Sequence, residues 1–71
     1  MNRQPLNSSM MASVGYDAST RTLEIEFARG GVYRYLDVPA AEHEALISAP
    51  SKGRFFQARI LRVFAYLRID R

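Results

Sequence analysis

The sequence predicts a small α+β domain: an antiparallel sheet in the order β-β-β-α-α-β, with its helices packed on one face. Three observations predict it. Apolar and polar residues alternate cleanly through residues 21–27, the period of a half-buried strand. The stretch Gly30-Gly31-Val32-Tyr33-Arg34-Tyr35-Leu36-Asp37-Val38-Pro39 joins a glycine turn, a strand with tyrosines two apart, and a proline suited to opening a helix. Two short helical segments then follow, separated by Pro50-Ser51, before a second alternating run at residues 63–69.

Residues 1–8 are polar with one proline and read as a flexible N-terminal tail; residues 9–71 read as a single domain. Residues 9–16 form the first strand, with Met10, Ala12, Val14 and Tyr16 on one side. Asp17-Ala18-Ser19-Thr20 is turn chemistry, because Asp and Ser hydrogen-bond the local backbone. In the second strand Leu23, Ile25 and Phe27 face inward, and Thr22, Glu24 and Glu26 outward.

The next connection sets the register. A two-residue turn at Arg29-Gly30 would place Ile25 opposite Arg34. A three-residue loop, Ala28-Arg29-Gly30 with Gly30 left-handed, pairs Leu23 with Tyr35, Ile25 with Tyr33 and Glu24 with Arg34. The second option puts apolar groups on one face and an opposite-charge pair on the other, so it is preferred. Tyr33 and Tyr35 then serve the inner face. Val32, Leu36 and Val38 are left over, to be accommodated by a bulge near Asp37 or by cover from another element.

Pro39 suits the first position of a helix, and Glu42 and Glu44 favour its early turns. Ala41, Ala45, Leu46 and Ala49 form its apolar stripe, and Pro50 ends it. Ser51 caps a second helix in which Phe56 and Ile60 share a face. In the last strand Val63, Ala65, Leu67 and Ile69 oppose Phe64, Tyr66 and Arg68.

A 71-residue chain is one small domain with a limited core. It has no cysteine, which excludes disulfides and a Cys-based zinc site and suits a reducing cytoplasm. Eight Phe and Tyr must supply much of the core, and a homodimer that adds buried area is expected. No apolar run reaches the length of a membrane span, and no signal peptide is recognisable. Charge is uneven. Residues 1–50 carry a net −2, whereas residues 51–71 hold Lys52, Arg54, Arg59, Arg62, Arg68 and Arg71 against Asp70 alone, a net +5. Nine of the ten basic residues are Arg, which suits phosphate and flat ring faces.

Val14-Gly15-Tyr16-Asp17, Leu23-Glu24-Ile25-Glu26-Phe27, Gly31-Val32-Tyr33-Arg34-Tyr35, Val38-Pro39 and Ala49-Pro50-Ser51-Lys52-Gly53-Arg54-Phe55-Phe56 occur in that order. This ordered set resembles the KTSC domain, a module named for its occurrence at the C-terminus of some lysyl-tRNA synthetases and also found alone in bacteria. The resemblance covers residues 8–69. It implies the fold and RNA as a class of partner, makes Tyr33 and Tyr35 mainly structural, and transfers no catalytic residue.

The residues themselves serve catalysis poorly. His43 is the only histidine, flanked by Glu42 and Glu44 on an expected exposed helix face. Glu24 and Glu26 share a strand face, but Arg34 beside them favours a solvated salt-bridge face over a metal or acid–base site. Ser51-Lys52-Gly53 lacks the full phosphate-loop pattern. The start of the second helix still offers backbone N–H groups beside Lys52 and Arg54, with Gly53 permitting close approach of a phosphate. Arg59 falls between Phe55 and Phe56; it snorkels to solvent, pairs with an acid such as Asp37, or faces a groove.

The expectation is a non-enzymatic binding module with no catalytic residue, metal or cofactor. RNA would meet Lys52, Gly53, Arg54 and Arg62 through phosphates, and Phe64, Tyr66 and Arg68 through stacking or packing. The alternative is a protein-interaction or self-association module using an apolar patch near Val32, Leu36 and Val38.

Overall fold

The computed structural model describes residues 1–70. Five strands form one antiparallel sheet in sequence order: β1 (Gln4–Pro5), β2 (Met11–Asp17), β3 (Thr22–Phe27), β4 (Val32–Tyr35) and β5 (Tyr66–Arg68). Helices α1 (Ala40–Ser48) and α2 (Lys52–Arg59) lie between β4 and β5 in the chain. Leu46 of α1, Phe56 of α2 and Ile60 just beyond it close over Met11, Val14, Leu23, Ile25 and Tyr35 of the sheet.

The central hairpin has the register that charge and face alternation select. Leu23 pairs with Tyr35, Glu24 with Arg34 and Ile25 with Tyr33. Phe27 N–H donates to the Gly31 carbonyl (3.0 Å), which leaves Ala28-Arg29-Gly30 as the loop. Gly30 and Gly31 adopt φ of +112° and +97°, a region that favours residues without Cβ. The preceding turn also forms as expected, with Asp17 Oδ1 accepting from the Ser19 N–H (2.9 Å) and hydroxyl (2.6 Å).

The N-terminal segment departs from a loose tail. Gln4 and Pro5 pair with Val14 and Ser13, adding a strand to the expected order. Its anchor is electrostatic: Arg3 Nη1 lies 3.0 Å from Glu24 Oε2, and Arg34 Nε lies 2.9 Å from Glu24 Oε1. Glu24 is thus only 5% exposed, a buried rather than solvated member of this outer face.

In β2 the register slips between Met11 and Ser13, so two residues oppose one on β3. This bulge reverses the side-chain alternation. Met11, not Met10, therefore enters the core, while Val14 stays inward and Ala12 is exposed. At the far end of β4, Asp37 takes φ of +58° and redirects the chain. Val38 N–H then donates to the Arg21 carbonyl (2.8 Å), and Val38 becomes fully buried. The expected apolar patch at Val32, Leu36 and Val38 thereby loses Val38 to the core.

Pro39 is the N-cap of α1 rather than its first helical residue. Leu46 is the buried residue of α1; Ala41 is exposed, and Glu42 and His43 are half-buried instead. Ala45 and Ala49 are half-buried, so of the expected stripe only Ala41 is lost to solvent. The Ser51 hydroxyl accepts from Arg54 N–H (3.4 Å) as the α2 cap, and Phe56 and Ile60 are buried on one face. After α2 the chain turns, with Val63 N–H donating to the Ile60 carbonyl (3.1 Å). The last strand is consequently shorter than residues 63–69, and Phe64 packs against the core from the turn.

Candidate functional site

The sheet's inner face extends beyond the cover of the helices. Tyr35 is opposite Tyr66 and Tyr33 opposite Arg68, so these four side chains project from one face. Tyr66 has its ring centroid 5.5 Å from Tyr35 and 5.6 Å from Tyr33. Phe27 meets Tyr33 edge-on at 5.5 Å. Together with Phe56 and Leu61 these rings bound a groove of about 600 Å³, with Met10 and Arg29 also in its lining. Tyr66 is 55% exposed, whereas Tyr35 is buried beneath it. Burial, with Tyr66 and Tyr33 nearby, pushes the Tyr35 phenol up to about 12, so it stays neutral.

A second depression of about 370 Å³ lies between residues 7–10 and the start of α2, including Ser51, Lys52, Gly53 and Arg54. Ser9 and Met10 line both hollows, which makes aromatic and cationic surfaces adjoin. Ser8 shapes this segment, its hydroxyl accepting from the N–H groups of Met10 (3.1 Å) and Met11 (3.3 Å). Lys52 Nζ donates to the Ala49 carbonyl at 3.0 Å. A Cβ on Gly53 would meet Met10 at 3.6 Å, ordinary contact, so packing alone does not demand glycine there.

The other described basic residues of the C-terminal third, Arg59, Arg62 and Arg68, line neither hollow. Arg59 pairs with Glu42 on α1 (2.6 Å) and lies over Phe55, choosing an acid other than Asp37. Arg68 Nε pairs with Asp70 Oδ1 (2.8 Å), and its guanidinium lies over the Tyr33 ring at 5.6 Å. Hydrogen bonds from the Arg68 side chain and the Val32 backbone hold the Asp70 carboxyl down at about 2. Arg62 is exposed on the turn after α2 and, like Phe64, lines neither hollow. Arg71 lies outside the described residues. The structure instead adds Arg29, whose place mid-loop between two aromatic-bearing strands was the available signal.

Residues 7–64 match the KTSC domain family. The chain belongs to that family. An uncharacterized protein of Stutzerimonas stutzeri is 44% identical over 71 residues, spanning 99% of this chain and 100% of its own. A crystal structure of a KTSC domain protein from Yersinia pestis superimposes with a TM-score of 0.94 at 47% identity, covering 96% of both chains. A lysine–tRNA ligase of Trichormus variabilis is 41% identical over 58 residues; the match takes in 82% of this chain but 10% of the ligase.

The carboxylates of this KTSC domain's outer sheet face are engaged in its scaffold. Glu24 binds two guanidiniums, and Glu26 Oε1 accepts from the Ser13 hydroxyl (2.8 Å). His43, expected on an open surface, stacks on Tyr16 with centroids 4.8 Å apart and planes 8° apart. Tyr16 in turn donates its hydroxyl proton to the Val38 carbonyl (2.5 Å). Burial holds the imidazole below its ordinary value of 6.5, with Glu44 opposing. The folded state therefore disfavours protonation. Stability from His43 should be complete above pH 6.5 and decline as pH falls through the lowered folded value. Thermal melts from neutral to mildly acidic pH should show this decline, and His43→Phe should flatten it; equal slopes would assign the acid sensitivity elsewhere.

No helix among the described residues is long and apolar enough to cross a membrane.

Proposed function

We propose that this KTSC domain is a non-enzymatic module that holds single-stranded RNA across the two adjoining hollows. Unpaired bases stack in the groove against Tyr66 and Tyr33, while phosphates meet Lys52, Arg54 and Arg29. The observation that carries this reading is the junction at Ser9 and Met10, where an aromatic groove runs into a cation-bearing helix start. Stacking tolerates many bases because each has a π-face, and cations along the path bind the backbone. Arg68 contributes as a cation already seated on Tyr33. The related segment in lysine–tRNA ligases, enzymes named for tRNA, supports the same class of partner.

The test is fluorescence anisotropy with a labelled unstructured RNA oligonucleotide, titrated at low and high salt. Affinity should fall as salt rises, since binding releases counterions. Lys52→Glu with Arg54→Glu should weaken binding on the order of tenfold at low salt. Tyr66→Ala should remove about 1–3 kcal/mol of stacking while leaving the salt slope intact. Undiminished binding in the double charge variant rejects the α2 site; undiminished binding in Tyr66→Ala rejects the groove.

A further inference from the structure

The two edges of the sheet are unlike. β1 ends in Pro5, which has no N–H to offer a neighbouring strand, and carries Arg3 just before it. β5 has neither proline nor a covering element in the sheet order. Exposed large apolar residues also concentrate there. Leu61, Val63 (63% exposed), Tyr66 and Leu67 (48%) all belong to β5 or the turn leading into it, and among the described residues only Met1 joins them from elsewhere.

The hydrogen-bond phase shows what the free edge presents. Leu36 N–H donates to the Ala65 carbonyl (2.8 Å) and Ile69 N–H to the Val32 carbonyl (2.9 Å). Antiparallel ladders alternate, so Ala65, Leu67 and Ile69 turn their backbone groups toward β4. Tyr66 and Arg68 turn theirs away, toward the edge on which no strand lies among the described residues. These two outward positions are symmetric about Leu67.

We propose that two copies of this chain associate by antiparallel pairing of their β5 strands about a twofold axis at Leu67. Tyr66 of each copy then exchanges backbone hydrogen bonds with Arg68 of the other. Their side chains lie opposite one another on the groove face, where a guanidinium and a tyrosine ring attract. On the other face Leu67 meets its own counterpart, removing apolar surface from water. The strand is self-complementary in backbone hydrogen bonding, in its tyrosine–guanidinium pairs and in apolar surface, which is why a second copy is its occupant. The pairing adds a cation from the second copy beside Tyr66, bringing the two grooves into one continuous sheet. It stands on the edge geometry and does not require the RNA reading.

The wild-type chain already lacks cysteine, which makes crosslinking clean. Residues flanked by hydrogen-bonded pairs sit about 4.5 Å apart at Cα, within the range a disulfide spans. Leu67→Cys should therefore oxidise readily to a covalent dimer, whereas Ala41→Cys, exposed on α1, should not. Light scattering of the unmodified chain should give twice 8.1 kDa at high concentration. A wild-type mass that stays monomeric at the highest soluble concentration overturns the proposal, whatever the RNA result. A dimeric mass with Leu67→Cys no more reactive than Ala41→Cys overturns the β5 interface. RNA binding lost on charge reversal with the dimer intact separates the two proposals.

Discussion

Phe56→Ala is expected to cost about 3–5 kcal/mol of folding stability. Phe56 is the buried residue of α2 and joins three elements. Its ring meets Phe27 edge-on at 5.3 Å and Tyr35 at 5.5 Å, and its carbonyl accepts from Ile60 N–H (3.0 Å) and Leu61 N–H (2.9 Å) at the helix end. Truncation leaves the backbone bonds in place but empties the seam between α2 and the sheet. A domain of this size has a total stability of about 4–10 kcal/mol, so the variant should be largely unfolded under mild denaturant. Urea unfolding followed by circular dichroism checks this, with Phe56→Leu expected to recover most of the loss. A penalty below about 1 kcal/mol would show that the groove wall is not part of the core.

Gly15→Ala is expected to cost about 1–3 kcal/mol through overpacking. A Cβ at residue 15 would lie 2.7 Å from the Asn2 carbonyl oxygen and 3.0 Å from Arg3 Cγ. Side chains can yield, but here one neighbour is backbone held by the β1 pairing and the Arg3–Glu24 bridge. The N-terminal segment should lift, exposing Glu24. Thermal melts of Gly15→Ala, of a chain lacking residues 1–5, and of the combination form a double-mutant cycle. The substitution should cost little once the segment is gone. An equal penalty in both backgrounds would place the strain within β2 instead.

Some elements were legible because one local rule dominated them. The β3–β4 register followed from keeping Leu23, Ile25 and Phe27 on one face while matching Glu24 with Arg34. The Ser51 cap and the Phe56–Ile60 spacing likewise located α2. The β2 bulge was not legible, because Met10 and Met11 are chemically alike and only the partner strand chooses between them. Nor was β1: nothing in the polar sequence before Met10 announces that Glu24, far along the chain, will hold Arg3.

The candidate site was read less completely than the fold. Lys52, Gly53, Arg54 and Tyr66 do come to two neighbouring hollows, but Phe64 turns toward the core. Arg59 and Arg68 are committed to Glu42 and Asp70, pairings set by helix packing and by the end of β5. The basic third is therefore not one uninterrupted face; the aromatic groove gives the cations near it a common geometry.

By itself the sequence determined the sheet's central register, the helix boundaries near Pro39 and Pro50, and an aromatic supply large enough for both a core and a surface. Only the tertiary structure decided which rings stay open. That depends on where α1 and α2 stop covering the sheet, a consequence of long-range packing that local alternation does not encode.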